Sequence, residues 1–441
     1  MLFCKTSILA FLAFSISPAI FQPPSRATAA PQELTIYNFN SDGSDGYLPQ
    51  AGVILDDAGD VYGTTIYGGT GTCMDEPACG TVYELSASGH DVTEKVLYSF
   101  QGGADGSFPF ASLVRDSSGN LYGTTSAGGT GSCTGGCGTV FELSPSPGSW
   151  QETIIHTFSG GDDGATPWAP LIFDSAGNLY GTTSAGGTVG NGTVFELSLS
   201  HGVWQETVLY AFSGGAGEGI GPQAPVVFDS AGNLFGTTTY GGNSDGACAN
   251  FGSCGTVFEL TPTDGAWNET ILYEFTATNG DGSNPYAAVI VDSSGNLYGT
   301  TLQGGEVPCI SDYFFGCGTA FELSPSNGSW AETVIHDFTG TDSDGATPWA
   351  PLVLDSSGNL YGTTELGGSD VCGNYGCGTV FEFFRSGGTW GENVLLTFTA
   401  RDGGLPLAGL TSDGRGDFLG TASKSVSEGK LAGGLVFGIR P

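Results

Sequence analysis

Seven acids, Asp45, Asp105, Asp163, Glu218, Asp281, Asp344 and Asp402, each precede a glycine and, three residues beyond that glycine, a proline. Phe110, Trp168, Tyr286 and Trp349 follow four of those prolines. Flat rings beside carboxylates can hold sugars, the rings by stacking and the acids by accepting hydrogen bonds from hydroxyls. The four rings, with Asp105, Asp163, Asp281 and Asp344, are therefore the candidate ligand-binding residues. Packing against neighbouring structure is the competing use of the rings, and the commoner one. A second chemistry is cation binding. Asn40-Ser-Asp42-Gly-Ser-Asp45-Gly and Asp342-Ser-Asp344-Gly are oxygen-rich stretches of the kind that suit calcium. Asp42, Asp45, Asp342 and Asp344 are the candidate metal ligands, although neither stretch has the length or closing glutamate of an EF-hand loop, and Asp-Gly turns form readily without metal. No motif requires a cofactor; calcium is the one candidate.

Catalytic motifs are sparser. Two carboxylates could cleave a glycosidic bond if the loop acids converged, yet none of the seven stands apart from its equivalents. Gly242-Asn-Ser-Asp-Gly246 has the spacing of a nucleophile elbow without the strand, turn and helix that such an elbow needs. His156 and His336 stand where other copies carry Tyr98, Tyr210 or Tyr273, a substitution that speaks of packing. The expected activity is binding without catalysis, and the runner-up is a polysaccharide hydrolase or lyase.

Ten cysteines fall as close neighbours, Cys73/Cys79, Cys133/Cys137, Cys248/Cys254, Cys309/Cys317 and Cys372/Cys377, while Cys4 stands alone near the start. Five local disulfides are expected, because zinc needs four ligands in one place and these pairs are far apart in sequence with no histidine in the same loop. Lys5, the apolar run Ile8 to Ile16 and the small residues Ala27-Thr28-Ala29 read as a signal peptide over residues 1–29. Cleavage there would remove Lys5, Arg26 and no acid, moving the formal charge from -35 to -37. Such a charge excludes binding to nucleic acid through its phosphates. No later run reaches the roughly 18 apolar residues of a membrane span. A secreted or surface-bound protein, monomeric, with an extracellular glycan or surface protein as partner, is expected.

The elements that must position these groups come from repetition. Asn120-Leu-Tyr-Gly-Thr-Thr125 recurs with its glycine at Gly63, Gly123, Gly181, Gly236, Gly299, Gly362 and Gly420, at intervals of 60, 58, 55, 63, 63 and 58 residues. The 76 glycines among 441 residues disfavour long helices, and 39% hydrophobic content with 28 Phe, 16 Tyr and 7 Trp rules out disorder. Each copy reads as four short strands; in the second these are residues 111–115, 120–125, 138–143 and 150–158. Four strands repeated seven times suggest an all-β, seven-bladed β-propeller over residues 30–441, with repeats at 40–100, 101–158, 159–212, 213–275, 276–338, 339–398 and 399–441. The last copy has three strands only, around Leu410, Phe418 and Val436, while an orphan strand at residues 33–39 precedes the first. Inserting the orphan into the last blade would close the ring and leave no bare edge there.

Three further acid sets repeat. Asp56, Asp116, Asp174, Asp229, Asp292, Asp355 and Asp413 open turns, Glu84 and its equivalents lie in the third strand, and Glu33, Glu94, Glu152, Glu206, Glu269, Glu332 and Glu392 are expected on a solvated outer edge. The acid-Gly loops and the cysteine loops share one face of such a ring, and the cysteine loops vary in length, which makes that face the expected place of recognition.

The pattern Asn-Leu-Tyr-Gly-Thr-Thr, then Gly-Gly, then Gly-Thr-Val-Phe-Glu-Leu resembles the GloVer tandem repeat of exported bacterial "choice-of-anchor" proteins. The resemblance covers essentially the whole chain after the leader. It implies a secreted or surface-attached bacterial protein and supplies no catalytic residues. Members are named for C-terminal anchoring segments, whereas this chain ends on its last strand.

Overall fold

The computed structural model describes residues 31–40, 42–73, 78–89, 91–215, 217–245, 248, 253–306, 309, 316–341, 344–368, 375–399, 403–427 and 430–441. The expected leader, residues 1–29, lies outside them. Seven four-stranded antiparallel sheets follow one another around a ring. The second blade comprises Val114–Arg115, Leu121–Thr125, Thr139–Ser146 and Ser149–Thr157. Its innermost strand is shorter than the sequence suggests. Pro109 has no N–H to give to a ladder, and residues 110–113 run beside the axis, where ladder pairing with a neighbour gives way to lining the centre.

The repeated motif follows from what each residue must do. Leu121 is fully buried. Gly123 leaves room for a ring, since a Cβ there would come within 2.6 Å of Phe141. Thr124 Oγ1 donates to Ala169 O in the next blade at 3.2 Å, and Thr125 shares a hydrogen bond of 2.8 Å with Thr139 in the third strand. Asp116 Oδ1 accepts from the backbone N–H groups of Ser118 and Asn120, both at 2.8 Å, and Oδ2 accepts from Asn120 Nδ2 at 2.9 Å. One threonine thus ties a blade to its successor and the other ties it together.

A phenylalanine at the end of each outer strand completes the connection. Phe100 meets Phe141 of the next blade edge-on at 5.1 Å, and the equivalent contact recurs from Phe158 to Phe195, from Phe212 to Phe258 and on around the ring. Both contacts at the closure are made, Phe398 with Phe437 at 5.1 Å and Phe39 with Tyr83 at 5.0 Å. Gln32–Asn38 pairs antiparallel with Leu435–Arg440 and supplies the fourth strand of the last blade. Thr421 Oγ1 then donates to Ala51 O of the first blade at 2.9 Å, as its equivalents do elsewhere. No helix among the described residues is long and apolar enough to cross a membrane.

Candidate functional site

A cavity of about 630 Å³ lies on the axis, lined by the residues around the first strand of all seven blades. At its loop-side mouth stand Gln50, Phe110, Trp168, Gln223, Tyr286, Trp349 and Leu407, the residue after the repeated proline in each copy. The structure therefore brings the four candidate rings together as parts of one collar. Phe110 and Trp168 stack in parallel at 4.9 Å, Tyr286 and Trp349 meet at 4.4 Å, and Trp168 is 40% exposed.

Backbone geometry fixes the collar. The residue before the proline is left-handed although it is not glycine: φ is 59° at Phe108, 58° at Thr166, 56° at Asn284 and 54° at Thr347. That conformation is costly before proline and persists only where neighbours enforce it. Here the N–H of each donates to the carbonyl of a cysteine in the preceding blade: Phe108 to Cys79 at 2.9 Å, Thr166 to Cys137 at 2.8 Å, Asn284 to Cys254 at 2.7 Å and Thr347 to Cys317 at 2.8 Å. Those four cysteines are disulfide-bonded to Cys73, Cys133, Cys248 and Cys309. At the two copies whose repeats lack cysteines, Gly433 and Asn191 provide the carbonyl and the collar residues are Gln50 and Gln223. Every aromatic in the collar thus follows a disulfide-braced clamp. Cys372, the expected partner of Cys377, lies outside the described residues.

Glu365 is the residue that inspection of the sequence missed. Six copies place Ile66, Ser126, Ser184, Thr239, Leu302 and Ser423 after the second threonine position, and only the sixth copy places an acid there. It is the single carboxylate among the described residues lining the cavity, which carry no Lys or Arg. Trp349 Nε1 donates to Glu365 Oε2 at 2.6 Å, so the carboxylate fixes the ring. Burial pushes its pKa up, while the hydrogen bond from Trp349 and the charge of Lys424 pull it back. Reading down the column after Thr-Thr, rather than along the motif, would have found it.

The candidate acids are placed differently from the rings. Asp105, Asp163, Asp281 and Asp344 do not line the cavity; they turn back toward the end of the preceding outer strand. Asp105 accepts from Tyr98 Oη and from the Gln101 N–H, both at 2.5 Å. Asp163 accepts from the Ser159 N–H at 3.0 Å and from its hydroxyl. Asp281 accepts from the N–H and hydroxyl of Thr276 at 2.7 and 2.6 Å, and Asp344 from those of Thr339 at 2.8 and 2.9 Å. Asp45 accepts from Tyr37 Oη at 2.6 Å and Asn40 Nδ2 at 2.9 Å, whereas exposed Asp42 accepts from the Ser44 N–H at 3.0 Å. Asp342 and Asp402 lie outside the described residues. The one grouping able to hold a metal among the described residues is His336, Asp344 and Glu392, whose ligand atoms lie within 4.8 Å of one another. Burial alone would lower the His336 pKa, but Asp344 and Glu392 together raise it, which favours the protonated ring between two acids.

The outer-strand glutamates depart from expectation. Oε1 of Glu94, Glu152, Glu206, Glu269, Glu332 and Glu392 is shielded from water and makes no hydrogen bond among the described residues. Strand alternation turns these side chains toward the groove between blades, where each meets the acid of the loop that leads into its own blade. Burial first, and that acid second, push Glu94 and Glu152 up to about 7.

Comparison with known proteins agrees with this architecture. An ulvan lyase bound to -[GlcA(1-4)Rha3S]- is similar over 92% of this chain and 95% of its own, with 10% identity and a TM-score of 0.53. A Lactobacillus plantarum protein is similar over 80% and 85%, with 13% identity and a TM-score of 0.47. A variant of the NanB sialidase from Streptococcus pneumoniae is similar over 92% and 70%, with 12% identity and a TM-score of 0.44. At 10% identity the likeness to the ulvan lyase is one of fold alone. No curated protein matches the sequence. The Gloeobacter/Verrucomicrobia repeat matches residues 20–151, 79–306 and 246–441, so that the matches span the ring from end to end, and the chain belongs to that family.

Proposed function

We propose that the chain is an exported, non-enzymatic module that binds a glycan at the aromatic collar of its axial cavity. The observation that carries this reading is the ring of equivalent positions, four of seven aromatic, opening on a cavity of about 630 Å³. Gln50 and Gln223 supply the amide donors and acceptors that sugar hydroxyls need between the rings. Disulfides and the leader-like first 29 residues suit an extracellular place of action. The loop acids are engaged in holding their own loops, which leaves the rings as the main contact surface. Hydrolysis by paired carboxylates is less well supported, because Glu365 has no second carboxylate among the described residues of the cavity.

The test is titration of the purified protein with neutral oligosaccharides, alongside an assay for released reducing ends. Retention without release is expected. Trp168→Ala should weaken binding about tenfold, the loss of one stacking platform. Release of reducing ends, abolished by Glu365→Gln, would replace this reading with a polysaccharide hydrolase or lyase.

A further inference from the structure

The collar is built from repeats and yet has one side unlike the rest. Around the mouth, six copies carry a neutral residue after the paired threonine position, and the sixth carries Glu365. It sits beside the two rings in closest contact, Tyr286 and Trp349, whose centroids are 4.4 Å apart. A structural need to orient Trp349 does not demand a charge, since a glutamine oxygen would accept from Nε1 equally well. Placing a carboxylate in a partly desolvated aromatic cavity is costly unless a cation or several donors compensate it. Trp349, Thr347 and the charge of Lys424 offset part of that cost, and the carboxylate, which can accept about four hydrogen bonds, keeps room for a further donor. A carboxylate at the edge of partly exposed aromatic rings is an arrangement that recognises an alkylammonium, through ion pairing with the acid and through cation–π contact with the rings. The absence of Lys and Arg from the described lining disfavours glycans carrying carboxylate or sulfate groups.

Resting on the glycan-binding reading above, we infer that the axial site selects glycans bearing free, protonated amino groups, and that Glu365 is the residue that determines this selection. The acidic surface adds long-range attraction for the same class, with a formal charge of -35. Selection itself is local, and this separates the two contributions experimentally.

Calorimetric titration at near-neutral pH would compare a β-1,4-glucosamine tetramer, its fully N-acetylated counterpart and a neutral β-1,4-glucose tetramer. The free-amine tetramer should bind roughly tenfold more tightly than the acetylated one, as a desolvated charge-assisted contact implies. Glu365→Gln should bring the two within about twofold. Asp91→Asn, at an exposed hairpin tip far along the outer edge, changes net charge equally and should leave the preference intact. Equal affinity for amine and acetylated ligands, or a preference that survives Glu365→Gln, would overturn the inference while leaving glycan binding standing. Binding of none of the three would overturn both readings.

Discussion

Crowding beneath the repeated glycine shows how strictly single residues are specified. A Cβ at Gly181 would lie 2.6 Å from Phe195 Cζ and 2.9 Å from Leu171 Cδ2, both in the closed core of the third blade. The backbone there is not left-handed, so the demand is for space and not for glycine's conformational freedom. Gly181→Ala should therefore destabilise the protein by about 1–3 kcal/mol, the ordinary cost of overpacking, as read by chemical denaturation. Pairing it with Phe195→Leu should recover part of the loss, whereas a conformational requirement at Gly181 would leave the double variant no better than the single. Spacing alone reveals such a glycine as repeated, but not what it accommodates. The ring above it comes from the next strand, and that pairing becomes visible only when Gly181 is found opposite Phe195 in the ladder. Glu365 escaped notice for the converse reason. Repetition draws attention to what recurs, and this residue matters because it does not.

Among elements, the disulfide loops and the collar loops form one device. The carbonyl of Cys137 accepts the Thr166 N–H, Thr166 is held left-handed, and Pro167 then aims Trp168 across the mouth. Sequence spacing was enough to pair the cysteines of the four disulfides among the described residues and to name the four rings, because both depend on neighbours close along the chain. It could not reveal that one set braces the other, since the contact joins successive blades. Nor could it show that the loop acids face away from the cavity, because that depends on which side of the loop meets the outer strand. Replacing Cys133 and Cys137 by Ser should cost about 2 kcal/mol of stability, the chain-entropy value for so short a loop. If the brace serves the collar, the same variant should also weaken oligosaccharide binding at a temperature where it stays fully folded, as Trp168 loses its fixed aim. Unchanged affinity in the folded variant would show that the disulfide pins its own loop and nothing more.

At the scale of the whole molecule, the grooves between blades carry a repeated liability. Glu94 faces Asp45, Glu152 faces Asp105, Glu206 faces Asp163, Glu332 faces Asp281 and Glu392 faces Asp344. In each pair burial, followed by the neighbouring acid, pushes the glutamate up to about 7, although His336 opposes this at Glu392. An unfolded chain would titrate these groups near the ordinary glutamate value, so between that value and about 7 the folded ring binds more protons than the unfolded chain. Their contribution is therefore fully present below the ordinary value and is lost as pH rises through 7. The propeller should melt at a higher temperature at pH 5 than at pH 8. Relief of the general repulsion among 45 acids acts in the same direction, so the dependence by itself does not identify the grooves. Replacing Glu152, Glu206 and Glu332 by Gln together keeps the shape and removes the titration, and should flatten the difference between the two melting temperatures. Three exposed acids replaced in the same way, Asp91, Asp162 and Asp264, alter net charge equally and should leave the slope nearly intact. A slope that responds identically to both sets would assign the pH dependence to overall charge and remove the grooves from the account.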